Sequence, residues 1–127
     1  MAGKKRYLES VNPVSDQHDA EGRRRRAKSQ ILSLAKQLLT GQLGVIAASR
    51  ELSPLRHEVE TELAEVLVTF TAIDSETDAL PIGEVRLHWS QEALERKDRE
   101  ITEAEQYYRD TAMEAATRLL QLIEVPS

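Results

Sequence analysis

Apolar residues in the last third of the chain recur at helical spacing over a longer stretch than anywhere else. Leu94, Ile101, Tyr108, Ala115 and Leu122 return every seventh residue, with Ala104, Ala112 and Leu119 between them, which is the stripe one side of an α-helix presents. Met113, Ala116, Leu120 and Ile123 widen it only beyond Tyr108. Before Ile101, the run Glu95, Arg96, Lys97, Asp98, Arg99, Glu100 has no apolar member, and Glu95 stands four residues ahead of Arg99, the spacing at which opposite charges support an exposed helix. A helix over residues 89–125 is therefore expected, solvated in its first half and buried on a broad face in its second. Ser90 as N-cap, Glu92 and Glu95 near the positive end of the dipole, and Trp89 with Leu94 as a hydrophobic staple mark its start, while Pro126 closes it. About 35 residues at about 1.5 Å each make a rod of about 50 Å, long beside the radius of gyration of about 14 Å expected for a globule of this size. Such a rod must protrude, bend, or lie along a second copy.

The same reading assigns the rest of the chain. Residues 1–20 are polar, contain Pro13 and lack apolar periodicity, so they are expected as a poorly ordered arm. Ile31, Leu34, Ala35 and Leu38 follow at i, i+3, i+4 and i+7, predicting a helix over 21–39 with Gly41 as its stop. Residues 43–52, with Val45, Ile46, Ala47 and Ala48, read as a short buried helix. Ser53 and Pro54 make a start signal, and Leu55, Val59, Leu63, Val66, Phe70 and Ile73 advance at an average of 3.6 residues, so a helix over 54–73 is expected. The alternation of Val66, Val68, Phe70 and Ala72 offers a strand as the rival, over fewer positions. Residues 74–83 break the pattern as the main loop, and 83–89 are expected as an extended or single-turn segment that packs Val85 and Trp89 inward.

The resulting fold class is all-α: a single-domain helical bundle of about four helices, over 21–127, with a long C-terminal helix. Composition agrees. Hydrophobic residues make up 40% of the 127 and aromatic residues only 4%, so the core must be built from Leu, Val, Ile and Ala. Cysteine is absent, which excludes a disulfide framework and thiolate metal sites. Lys4, Lys5 and Arg6 precede no apolar signal segment, and no run approaches bilayer length, so no membrane is expected and the chain is placed in the cytoplasm.

Charge is divided unevenly. Residues 1–30 carry eight Lys or Arg against four acids, a balance of +4, which leaves −9 of the net −5 for the remainder. An acidic body repels phosphate backbones and favours basic partners. The dense basic cluster Arg23, Arg24, Arg25 and Arg26, read as the first turn of a helix, sits at the wrong end of the dipole for stability. It is the candidate nucleic-acid contact, set against a solvated turn that pairs with the acidic body.

Catalytic or metal chemistry finds little footing. Asp74, Glu76 and Asp78 occupy positions 1, 3 and 5 of a calcium-type loop, but Ala79 stands where glycine is needed and Val85 where a closing Glu belongs. A capped polar turn is the plainer reading. Glu58, Glu62 and Glu65 share one helical face without the Glu-x-x-His pairs of di-metal bundles, so they form a solvated acidic face open to docking. His18, His57 and His88 are scattered, and the glycines never bunch into a phosphate loop. No catalytic, metal or cofactor-binding residue is assigned, and no cofactor is expected.

The stretch from Ala72, Ile73, Asp74, Ser75, Glu76, Thr77, Asp78, Ala79, Leu80 and Pro81, through His88, Trp89 and Ser90, to Lys97, Asp98, Arg99, Glu100 and Ile101 resembles a group of small bacterial proteins of unknown function. The resemblance covers about the C-terminal half and implies a bacterial source and no activity. The expected function is a protein-binding module, of inhibitor or immunity type, whose acidic helical surface meets a basic partner. Partner-binding candidates are Glu58, Glu62, Glu65, Asp74, Glu76, Asp78, Arg96 and Arg99, with a homodimer through the long helix as the self-associating form. A nucleic-acid-associated regulator using the arginine cluster is the alternative, and an enzyme or ligand sensor stands third.

Overall fold

The first helix among the described residues starts at Pro13. The structure, a computed structural model, describes residues 13–124, with side chains from residue 19 onward. Helix α1 runs Pro13–Leu39, α2 Val45–Leu52, α3 Thr61–Thr77 and α4 Gln91–Glu124, with 3-10 turns at Ser53–Glu58 and Gly83–His88 and no strand among the described residues. The chain is therefore the all-α bundle with a long last helix that its periodicity predicts. Helix α1 begins eight residues before the expected residue 21 and takes in the end of the segment read as an arm; residues 1–12 of that segment lie outside the described residues.

The end of α1 is set by Gly41. Its φ of 81° is a conformation that only glycine adopts without cost, and it lets Gln42 N–H reach Gln37 C=O at 2.9 Å and Gly41 N–H reach Leu38 C=O at 3.2 Å, the paired bonds of a Schellman stop. Ala27, Ile31, Leu34, Ala35 and Leu38 line the buried side of α1. Helix α2 buries Val45, Ile46, Ala48, Ser49 and Leu52.

The helix expected over 54–73 is instead two pieces. Ser53–Glu58 winds as a 3-10 turn with Pro54 near its start, Val59 is extended at φ −130°, ψ 168°, and α3 begins at Thr61. Leu55 and Val59 still pack against the core, so the apolar period survives while the backbone breaks. Helix α3 then outlasts its expected end by four residues, 73 to 77, and the strand rival over 66–72 is excluded.

Phe70 and Leu67 of α3, Ile31 and Leu38 of α1, Leu52 of α2 and Leu119 of α4 meet in one core and are fully buried. In α4 the buried residues are Ala112, Ala115, Ala116 and Leu119, small enough at three of four positions for α4 to approach its neighbours closely. At about 1.5 Å per residue, its 34 residues span about 50 Å. The first half carries no fully buried residue, and the 3-10 turn before it is tied on by Arg86, whose guanidinium holds Asp98 at 2.8 and 3.1 Å and Pro81 C=O at 3.2 Å. Ser90 caps α4 as expected, accepting the Ala93 N–H at 3.1 Å. Val85 does not pack inward: it and Leu87, which is 84% exposed, face solvent. No described helix is long and apolar enough to cross a membrane.

Candidate functional site

Two neighbouring tyrosines on a helix cannot both face the core, because successive side chains are turned by about 100°. Tyr108 is half-buried against the core cluster, and Tyr107 stands 79% exposed with its ring edge-on to that of Tyr108, centroids 4.8 Å apart. The pair divides an open groove between α3 and α4. One side, a hollow of 560 Å³, is lined by Thr69, Ala72 and Ile73 of α3 and Thr111 of α4. The other, of 490 Å³, is lined by Glu76, Thr77 and Leu80 across from Lys97, Glu100 and Glu103. Both volumes are in the range that holds a side chain or two of a ligand.

The two hollows differ in charge. The first has no ionisable lining residue besides the two tyrosines, whereas the second sets three carboxylates against one ammonium, a net −2. Lys97 is already engaged by Glu100 at 3.1 Å, so Glu76 and Glu103 remain without an ion pair among the described residues. Burial holds the Tyr108 hydroxyl above its ordinary pKa, and the charges of Glu76 and the Tyr107 phenol add to the shift. Tyr108 thus stays a neutral hydrogen-bonding group in the groove.

The walls are fixed by contacts that cap helix ends. Glu105 of α4 accepts the N–H groups of Val45 and Ile46 at 2.7 and 2.9 Å, supplying from another helix the carboxylate that the N-terminus of α2 lacks. Gly44 leaves room for this approach: an added Cβ would stand 3.0 and 3.2 Å from the Glu105 oxygens, so the carboxylate would have to give by a few tenths of an ångström. At the other end of α2, Arg50 donates to the carbonyls of Thr77 and Leu80 at 2.6 and 2.7 Å, and its Nε lies 3.8 Å from Asp74. Helix α2 therefore ties α4 beside Tyr107 to the end of α3 beside Glu76.

Of the acidic candidates, only Glu76 lines the groove. Asp74 and Glu76 belong to the end of α3 and Asp78 is its C-cap, so they are not the opening of a calcium-type loop; the described residues contain no group of three side chains suited to a metal ion. Glu58, Glu62 and Glu65 do not share one helix as expected, because Glu58 lies in the preceding 3-10 turn; Glu62 and Glu65 are exposed on the first half of α3. Arg96 and Arg99 are exposed on the first half of α4, outside the groove lining.

The arginine cluster is also placed differently from its expected position. With α1 starting at Pro13, Arg23 lies ten residues inside the helix, so the end of the dipole no longer bears on it. All four arginines are exposed. Arg23 and Arg26 share a shallow hollow with Glu58, and Arg24 with Lys28 helps to lower the pKa of Glu60, which Lys28 holds at 2.7 Å. The Lys28 hydrogen bond is the largest cause of that shift, and burial opposes it. Acidic side chains thus accompany the basic ones.

The chain matches no known protein family, curated protein or solved structure. Among the residues that form the groove without having been expected as partner contacts are Tyr107, Lys97, Glu100 and Glu103, together with Arg50 and Glu105 that hold its walls. One signal for them was present in the sequence. A Tyr-Tyr doublet in a chain with only five aromatic residues (one Trp, three Tyr, one Phe) obliges one ring to leave the core.

Proposed function

We propose that this protein is a protein-binding module whose acidic helical surface meets a basic partner and acts by occlusion, as an inhibitor or immunity-type protein does. The observation that carries this reading is Tyr107, 79% exposed, in a groove lined by three carboxylates and one lysine. Exposed aromatics in pockets are the residues that most often anchor protein interfaces, and carboxylates around them select and steer cationic surfaces. Such a role needs surface complementarity alone and suits action in the cytoplasm.

Affinity-tagged protein exposed to extract of its source cell tests the reading. One basic protein should be captured at low salt and lost at high salt, and Tyr107→Ala should weaken that complex by about tenfold or more with the helical circular dichroism unchanged. If light scattering shows a homodimer whose interface takes in Leu94, Ile101 and Tyr108, self-association replaces the inhibitor reading. A monomer that captures nothing, while a metabolite raises its melting temperature, moves the protein to the ligand-sensor or enzyme class. The nucleic-acid reading rests on the exposure of Arg23, Arg24, Arg25 and Arg26. It requires retention on heparin at low salt that vanishes when the four become Ala.

A further inference from the structure

The groove is not uniform along its length, and its two ends ask for different chemistry. Thr69, Ala72 and Ile73 with Thr111 form a floor without charge. Glu76, Glu100 and Glu103 lie at the other end. Along α4, Thr111 and Glu103 are eight residues apart and Thr111 and Glu100 eleven, so at about 1.5 Å per residue the neutral and acidic ends are separated by about 12 to 16 Å. Tyr107 stands between them and can lie under an apolar side chain or present its ring face to a cation.

The walls restrict the form of the occupant. Both are α-helices, whose backbone N–H and C=O groups are already spent on their own turns, so an extended peptide finds no strand edge to pair with, as a sheet would offer it. A helix arrives with its backbone satisfied and can lay its side chains between the rows of α3 and α4. We infer that the groove takes one amphipathic helix of a protein partner, with an apolar anchor over Thr69, Ala72 and Thr111 and one or two Lys or Arg residues, about four to eight positions along it, over Glu76 and Glu103. The inference rests on the proposed protein-binding role and adds the form and polarity of the bound segment.

Three Ala-rich helical peptides of about four turns test it against the full-length, isotope-labelled protein: one with Leu at one end and a Lys pair at the other, one with that Leu replaced by Ala, and one with the Lys pair replaced by Glu. Each is made in both directions, because the groove does not fix which end of the helix leads. The Leu-and-Lys peptide should shift the amide resonances of Thr69 and Thr111 together with those of Glu76 and Glu103. Replacing its Leu should weaken binding by about tenfold or more, as loss of a buried leucine requires, and should abolish the shifts at Thr69 and Thr111. The Glu peptide should bind only the Glu76→Lys, Glu103→Lys double variant, whose exposed positions leave folding intact. The inference is overturned if no peptide binds, if the Leu-free peptide binds equally well, or if the shifts fall on Glu62 and Glu65 instead. In each of those cases, salt-sensitive capture of a basic protein, lost on Tyr107→Ala, would leave the broader binding-module reading standing; failure of both experiments would remove the two together.

Discussion

Ser49 is the residue whose chemistry least fits its surroundings. Its side chain is fully buried on α2 and its hydroxyl has no hydrogen-bond partner among the described residues. An orphaned buried hydroxyl costs about 1 to 3 kcal/mol, and alanine is the better helix former by a few tenths of a kcal/mol. Ser49→Ala should therefore raise stability by about 1 kcal/mol, seen as a higher midpoint in chemical denaturation with an unchanged slope. A lower midpoint would mean that the hydroxyl has a partner that α2 needs. By contrast, the other two buried polar residues have their hydroxyls bonded: Thr77 Oγ1 donates to Ile73 C=O at 2.7 Å, and Ser53 shares a 2.9 Å bond with Thr71.

At the scale of elements, what was legible in the sequence and what was not separate by the range of the interaction that decides each case. Gly41 stops α1 and Ser90 starts α4 through bonds made within a few residues, and both could be read directly. The start of α3 has no side-chain cap, so an unbroken apolar period ran through the 3-10 turn unseen. The end of α3 misled for the opposite reason. Asp74 and Glu76 are unfavourable residues for the negative end of a helix, and they are tolerated there because Arg50, 24 residues before Asp74, covers the last carbonyls. Likewise the groove needs α3 and α4 side by side, which no local pattern states, and only the Tyr107–Tyr108 doublet hinted at an exposed ring. The cap that Glu105 gives α2, across about 60 residues of chain, is the clearest such long-range device. Its loss should be costly, since two N–H groups at a helix start would lose a charged acceptor. Glu105→Ala is expected to lower stability by about 2 kcal/mol. Gly44→Ala should lower it as well, by pushing the carboxylate away through a new Cβ. If the double variant loses no more than Glu105→Ala alone, the two act through the same bond; additive losses would show that Gly44 matters for some other reason.

At the scale of the molecule, α4 divides the protein into a packed end and an exposed one. Beyond residue 111 it contributes Ala112, Ala115, Ala116 and Leu119 to the core shared with α1, α2 and α3. Before residue 105 it has no fully buried residue, and the Arg86–Asp98 pair that ties it to the preceding turn is half-exposed and screened by salt. The groove lies where these two regimes meet, so along α4 the acidic end, with Glu100 and Glu103, falls in the loosely held half and the neutral end, with Thr111, beside the firm one. Stability should follow the same division. Leu119→Asp would bury an unpaired carboxylate at a fully buried position and should unfold the protein or cost more than about 4 kcal/mol. Arg99→Asp, at an exposed position, should change stability by less than about 0.5 kcal/mol. Amide hydrogen exchange gives the same contrast without substitution. Protection near Leu119 should equal the global unfolding free energy, and protection between Gln91 and Ile101 should fall well below it, because local opening there exposes little apolar surface. Uniform protection along all of α4, or equal losses from the two substitutions, would show that the first half of the helix is held by more than its own charges. The natural candidate would then be a second copy of the chain, and light scattering on the same sample would reveal it.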